Sequence, residues 1–235
     1  MSSIPFNLAI LKGMKNNLSH KGNGKDQLST RCNALKSSML WFDEDTPGAL
    51  WHDHCFFIRH GETSWNNERR IMGWQDIALN DTGLRQAYEA RHHIKGLGIQ
   101  TICTSPLRRA HQTATILNEV LDLPLKELSN LKEMGGGDYE GQIRMGTEGH
   151  FLKKSRQGFP ADNAEPYDTF ETRVVSGLKE SLANPGPVLI VSHGGVFWAL
   201  ATYFDWPVDK LLDNCEVVQI FFPRSHGDWV IRQVA

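Results

Sequence analysis

The chain has 235 residues, 40% hydrophobic and 22% charged, with a formal net charge of −2. That length suits one domain, or one domain plus a small appendage, and the composition excludes wholesale disorder and fibrous repeats. No apolar run approaches the roughly 18–20 residues of a membrane-spanning helix, and Lys+Arg 25 against Asp+Glu 27 lacks the basic excess of a nucleic-acid binder, so neither partner is expected.

Residues 1–42 hold six basic residues and one acidic, a net of +5, leaving −7 for the rest of the chain. Rich in Ser, Asn and Gly, this segment reads as a poorly ordered extension, and residues 43–235 as the folded domain. Its one apolar stretch is broken by Pro5 and Asn7 with no basic residue ahead of it, against a secretory signal. Arg31 is its only arginine, against a transit peptide. A translation start near Met39 is the favoured account. Residues 43–50 read as an acidic turn into the domain.

From residue 51 strands alternate with helices. C-F-F-I at 55–58 is a short buried strand. Asn80, Asp81 and Thr82 offer cap chemistry ahead of a helix carrying Leu84, Ala87, Tyr88 and Ile94. T-I-C-T at 101–104 is a second strand. Leu107, Ala110, Ala114, Leu117 and Leu121 mark a second helix, with Pro124 beyond it. Tyr167, Phe170, Val174, Leu178 and Leu182 mark a third, stopped by N-P-G at 184–186. P-V-L-I-V at 187–191 is the strongest buried strand, and 196–204 reads as a buried helix. Strands at 216–222 and 229–234 flank S-H-G-D, a hairpin signal. The alternation predicts a three-layer α/β/α fold with a mainly parallel central sheet and an antiparallel hairpin strand near the C-terminus.

Three strands run into residues that bear chemistry: Arg59-His60-Gly61-Glu62-Thr63, Ser105-Pro106-Leu107-Arg108-Arg109 and Ser192-His193-Gly194-Gly195. Ligands of open α/β sheets bind outside the carboxyl ends of the strands. If these ends share one edge, two imidazoles meet at least two guanidiniums there. Arginine's planar fork suits phosphate, and the amides opening the helix after His193 favour anions. Two imidazoles among arginines point to an anionic substrate, concretely a phosphoryl group accepted by one histidine.

R-H-G-E-T-S-W-N at 59–66, with Arg70, Gly73, Trp74 and Asp76 after it and L-N-D-T-G at 79–83, resembles the histidine phosphatase superfamily, in its phosphoglycerate mutase-like branch. S-P-L-R-R-A-H-Q-T-A at 105–114, L-K-E-M-G-G-G-D-Y-E-G at 131–141 and V-S-H-G-G at 191–195 resemble that family's second, third and fourth motifs, in family order over roughly residues 53–222. The resemblance implies that His60 is the nucleophile and forms a phosphohistidine. It implies that Arg59, Arg109 and His193 hold the phosphoryl oxygens, with Arg109 rather than Arg108 because it directly precedes the alanine. Glu133 then protonates the leaving oxygen and activates water afterwards, and Asn66 contacts phosphate. Thr63, Gly73 and Gly194 stand within these motifs and are expected to line the substrate site. No cofactor and no metal is implied, because side-chain cations take the place of Mg²⁺.

Plainer readings stand beside these. Glu62 and Thr63 shape the turn as readily as they touch substrate. Glu140 rivals Glu133 as acid but reads as a turn carboxylate. His52 and His54 share a strand face without a third metal ligand. Gly135–Gly137 lacks dinucleotide-binding spacing and reads as a flexible loop. Cys32, Cys55, Cys103 and Cys215 form neither a zinc nor a disulfide framework; Cys55 and Cys103 read as small buried hydrophobes, consistent with a cytoplasmic location. A small phosphorylated metabolite is the expected partner, hydrolysed by a monomer or homodimer. The rivals are a cofactor-dependent phosphoglycerate mutase and a non-catalytic phospho-ligand binder. A mutase needs extra cations between the third and fourth motifs, and only 60 positions separate Glu133 from His193. Asn163-Ala164-Glu165-Pro166 stands where the family's phosphatases often carry G-E-S. The residues that select substrate are expected within 141–165.

Overall fold

A computed structural model of the chain describes residues 53–144, 163–206, 208, 210–222 and 230–234. The expectations for residues 1–42, for the acidic turn 43–50, for most of the segment 141–165 and for the S-H-G-D turn lie outside the described residues.

Six strands form one sheet in the order β3-β2-β4-β1-β5-β6. They are β1 (His54–Arg59), β2 (Thr101–Thr104), β3 (Leu125–Glu127), β4 (Val188–Ser192), β5 (Val217–Phe221) and β6 (Val230–Gln233). The first four are mutually parallel. β5 runs antiparallel to β1, and β6 antiparallel to β5. The expected mainly parallel sheet with an antiparallel C-terminal pair is therefore what forms. Strand β3 was not foreseen: its L-K-E is half exposed and carries two charges, because an edge strand needs only one neighbour and little apolar surface.

Among the described residues five α-helices accompany the sheet: α1 (Ser64–Asn67), α2 (Asp81–Ile94), α3 (Arg108–Asn118), α4 (Tyr167–Leu182) and α5 (Gly194–Tyr203). On one face of the sheet, Phe56, Ile58, Leu189 and Val191 pack with Ala90 and Ile94 of α2 and Ala114 and Leu117 of α3. On the other, Phe57 meets Phe197 of α5 at 5.4 Å between ring centroids, and α4 packs on α5. Strands covered on both faces read as continuous apolar runs, which is why β1 and β4 were legible. Asn80 caps α2, its side chain accepting from the Gly83 amide at 2.8 Å. Helix α3 stops at Asn118, short of the expected Leu121. The Asn118 side chain turns back to bond both the amide (2.9 Å) and the carbonyl (3.0 Å) of Leu123. Cys55 and Cys103 are fully buried, and burial raises both thiols, Cys103 to about 11, so neither is a reactive thiolate.

This topology decides where chemistry can occur. Because β1, β4 and β2 are parallel neighbours, their carboxyl ends share one edge. The ladder carries on past them: the His60 amide bonds Ser192 O at 2.9 Å, and the Ser105 amide bonds Val191 O at 3.1 Å. The residues just beyond the strands are thus held as firmly as the strands themselves. No helix among the described residues is long and apolar enough to cross a membrane.

Candidate active site

His60 and His193 face each other at that edge, with ring centroids 5.2 Å apart and planes at 62°. Both are buried, as are Arg59 and Arg109. His60 Nδ1 lies 2.7 Å from the Gly61 carbonyl. A carbonyl only accepts, so Nδ1 carries the proton and Nε2 of the neutral ring is left with its lone pair. His193 Nε2 sits 2.8 Å from Ser105 Oγ, which also accepts from the Leu107 amide at 3.2 Å. With the Ser105 hydroxyl donating to Nε2, His193 Nδ1 becomes an N–H donor. It is buried and has no hydrogen-bond partner among the described residues.

Arg109 is fully buried at the start of α3, where its fork donates to the carbonyls of Gly73 and Gln75, each at 3.0 Å. Its Nε also has no partner among the described residues. Burial lowers its pKa to about 10, against the pull of Glu133 and Asp76, so it stays cationic at neutral pH. Arg108, by contrast, is exposed, and its amide donates to Asp76 Oδ1 at 2.6 Å. Arg59 donates to Leu212 O at 2.7 Å. Desolvation first, then the positive charges of Arg109 and Arg59, hold His60 well below the ordinary imidazole range. Desolvation and Arg109 do the same to His193, with smaller contributions from His60, Arg173 and Arg59. The result is two neutral imidazoles in a positive field, a cage suited to a dianion.

Glu133 closes the cage from a loop. Its Oε1 accepts from the Met134 amide at 2.9 Å and its Oε2 from the Gly195 amide at 3.1 Å. A Cβ at Gly195 would run into this carboxyl group, so one glycine after His193 admits Glu133 rather than a ligand. The expectation that Gly135–Gly137 is a flexible loop is corrected. Gly135 and Gly136 are buried, and their amides are bonded by the carboxylates of Glu165 and Glu140, each at 3.0 Å. Glu140 also accepts from the Trp74 amide at 2.8 Å and from Gln75 Nε2 at 3.0 Å. It staples the 73–75 loop, which grips Arg109, to the loop carrying Glu133.

The remaining expected residues have local employment. Thr63 and Asn66 form a capping box on α1, with the Asn66 amide bonding Thr63 Oγ1 and the Thr63 amide bonding Asn66 Oδ1, both at 3.1 Å. Glu62 bonds Asn80 Nδ2 at 2.8 Å and braces the turn. Gly73 supplies a carbonyl to Arg109 at a φ of +51°, and Gly194 lies against the Arg59 guanidinium, 3.5 Å from where its Cβ would stand. Sequence reasoning missed Ser105, Glu165 and Arg173 as site-builders. Ser105 was legible within S-P-L-R-R; the other two act across long sequence separations. Among the described residues there is no group of three or more His, Cys, Asp or Glu placed to hold a metal ion.

The profile of the histidine phosphatase superfamily (branch 1) matches residues 55–234. The chain belongs to this superfamily. It is 42% identical over 150 residues to a Bacillus subtilis protein named "Uncharacterized phosphatase PhoE", covering 62% of this chain and 74% of that one. It is 30% identical over 192 residues to the "Probable phosphoglycerate mutase GpmB" of Salmonella arizonae, covering 75% and 89%. In three dimensions it resembles a mycobacterial glucosyl-3-phosphoglycerate phosphatase solved with VO3, at a TM-score of 0.66 and 25% identity over 77% of this chain and 98% of that one. Bacillus stearothermophilus YhfR, at 23% identity, shares the fold with a TM-score of 0.64 over 77% and 95%. This is an enzyme of the phosphatase and mutase class that shares the phosphoglycerate mutase-like fold.

Proposed function

We propose that this histidine phosphatase hydrolyses phosphomonoesters of a small metabolite, without a metal, through a phosphohistidine on His60. The observation that carries the proposal is the neutral imidazole whose Nδ1 is fixed on Gly61 O, 5.2 Å from a second imidazole and set between two buried guanidiniums. Nε2 of His60 attacks phosphorus in line. Arg59, Arg109 and the Nδ1–H of His193 take the phosphoryl oxygens, and the two buried donors that lack protein acceptors gain partners. The P–O bond to the alcohol breaks as Glu133 delivers a proton to the leaving oxygen. Oε1 accepts from the Met134 amide and Oε2 from the Gly195 amide, and these two bonds orient the carboxyl group that carries the proton. Glu133, now a carboxylate, then takes a proton from water as it attacks the phosphohistidine, which returns His60 and releases phosphate.

Hydrolysis is preferred to mutase transfer because the segment between Glu133 and His193 spans only 60 positions and shows no mutase-like basic insertion. Asn66, Thr63, Gly73 and Gly194 are read as substrate-binding, and a cytoplasmic location accords with its free thiols. The test uses p-nitrophenyl phosphate in EDTA, with a His60→Ala control. Turnover that survives chelation and disappears in the variant is the expected result. Interconversion of 3-phosphoglycerate primed by 2,3-bisphosphoglycerate, without hydrolysis, would assign a mutase instead. Phosphate-ester binding with neither activity would assign a binder.

A further inference from the structure

We infer that Arg173 is a positioning residue for Glu133, working as a clamp with Glu165. The inference rests on the reading of Glu133 as the acid. Arg173 sits on α4, 40 residues from Glu133 in sequence, and uses all five of its N–H donors. Nε and Nη2 bond Glu165 Oε1 and Oε2 at 2.6 and 2.7 Å, a two-pronged pair. Nη1 bonds the carbonyls of Asn130 (3.1 Å) and Lys132 (2.6 Å), and Nη2 also bonds that of Glu133 at 2.8 Å. Its guanidinium lies over the Phe170 ring, 4.9 Å from the centroid, which fixes the plane of the fork. Glu165 grips the chain on the far side of Glu133, accepting from the Gly135 amide at 3.0 Å and donating its own amide to Gly135 O at 2.9 Å.

The backbone of Glu133 is thus held before and after the residue by one ion pair. Its carbonyl takes a second donor, Trp74 Nε1, at 2.8 Å, so both of its lone pairs are filled. From this fixed backbone the Glu133 carboxyl reaches the Gly195 amide, two residues after His193. Proton transfer requires the carboxyl within hydrogen-bond reach of the leaving oxygen, so loosening the clamp weakens protonation and leaves the attack by His60 intact. Glu165, within Asn163-Ala164-Glu165-Pro166, faces Arg173 and Gly135.

The experiment compares kcat/KM for p-nitrophenyl phosphate, whose leaving group needs little protonation, with that for an alkyl phosphate, which needs much. The ratio is read within one variant, so a fraction of unfolded protein cancels. Arg173→Lys, which keeps the charge and removes the fork, and Glu165→Gln are each expected to raise the ratio about tenfold or more. In a Glu133→Gln background, Arg173→Lys is expected to leave the ratio where Glu133→Gln alone puts it. An unchanged ratio in Arg173→Lys, with Glu133→Gln shifting it, overturns the clamp alone. An unchanged ratio in Glu133→Gln itself overturns the acid role on which the clamp depends.

Discussion

The two halves of the site are built differently. His60, His193, Arg59 and Arg109 stand on or just past strand ends and a helix start, are buried, and inherit their positions from the sheet. Glu133 stands on a loop whose shape comes from side chains reaching in from elsewhere: Glu140, Glu165, Arg173 and Trp74. On the proposed mechanism the first half holds charge at phosphorus and the second places one carboxyl group beside it.

Substitutions distinguish the halves. His60→Ala removes the covalent route and is expected to cost on the order of 10⁴-fold or more in kcat/KM for every substrate, measured by steady-state hydrolysis. Glu133→Gln is expected to cost about 10²–10⁴-fold for alkyl phosphates and far less for p-nitrophenyl phosphate; equal losses would remove its role as acid. Arg109→Lys is expected to lower kcat by about 10²–10³-fold with good and poor leaving groups alike, because the fork is lost from the cage. Arg108→Ala, one position away and exposed, is expected to leave kcat within about twofold, its charge being screened by solvent. Comparable losses in the two would mean that the buried guanidinium does not hold phosphate.

Stability against pH probes the rigid half by itself. His60 and His193 have lowered pKa values in the fold, so they stay neutral while the unfolded chain gains protons near pH 6.5. The unfolded state then binds more protons, so the contribution is present above about pH 6.5 and is lost as pH falls below it. The unfolding free energy from urea titrations is expected to be lower at pH 5.5 than at pH 7.5, by at most about 1.4 kcal/mol per pH unit for each histidine. A free energy unchanged or higher at pH 5.5 would mean that the imidazoles are charged in the fold. Glu140→Gln weakens one staple and is expected to destabilise by about 1–3 kcal/mol, with kcat for p-nitrophenyl phosphate nearly retained.

The same division explains what could be read from the sequence. Phe56, Ile58, Leu189 and Val191 lie in runs buried on both faces, and the charged residues that end those runs mark the edge, so His60, His193 and the paired arginines were legible from local pattern. Choosing Arg109 over Arg108 rested on resemblance; the structure buries Arg109 and exposes Arg108. The loop half was not legible. Nothing local announces that Arg173, on the flank of an amphipathic helix, reaches three carbonyls of the 130–133 segment, or that Glu140 bonds amides at Trp74 and Gly136. Three glycines in a row look free in a sequence, yet here the first two are buried because carboxylates take their amides. The β3 edge strand escaped for the opposite reason, too short and too charged to leave a period.

The central claim is that phosphate passes through a covalent bond to His60. Mixing the enzyme with phosphorus-labelled substrate, quenching within milliseconds in alkali and mapping the label by peptide mass spectrometry tests it directly. The expected product is an acid-labile, base-stable phosphoramidate on the peptide bearing His60, formed fast enough to precede turnover and missing from His60→Ala. Full turnover with no labelled peptide, or label on any other residue, would contradict it.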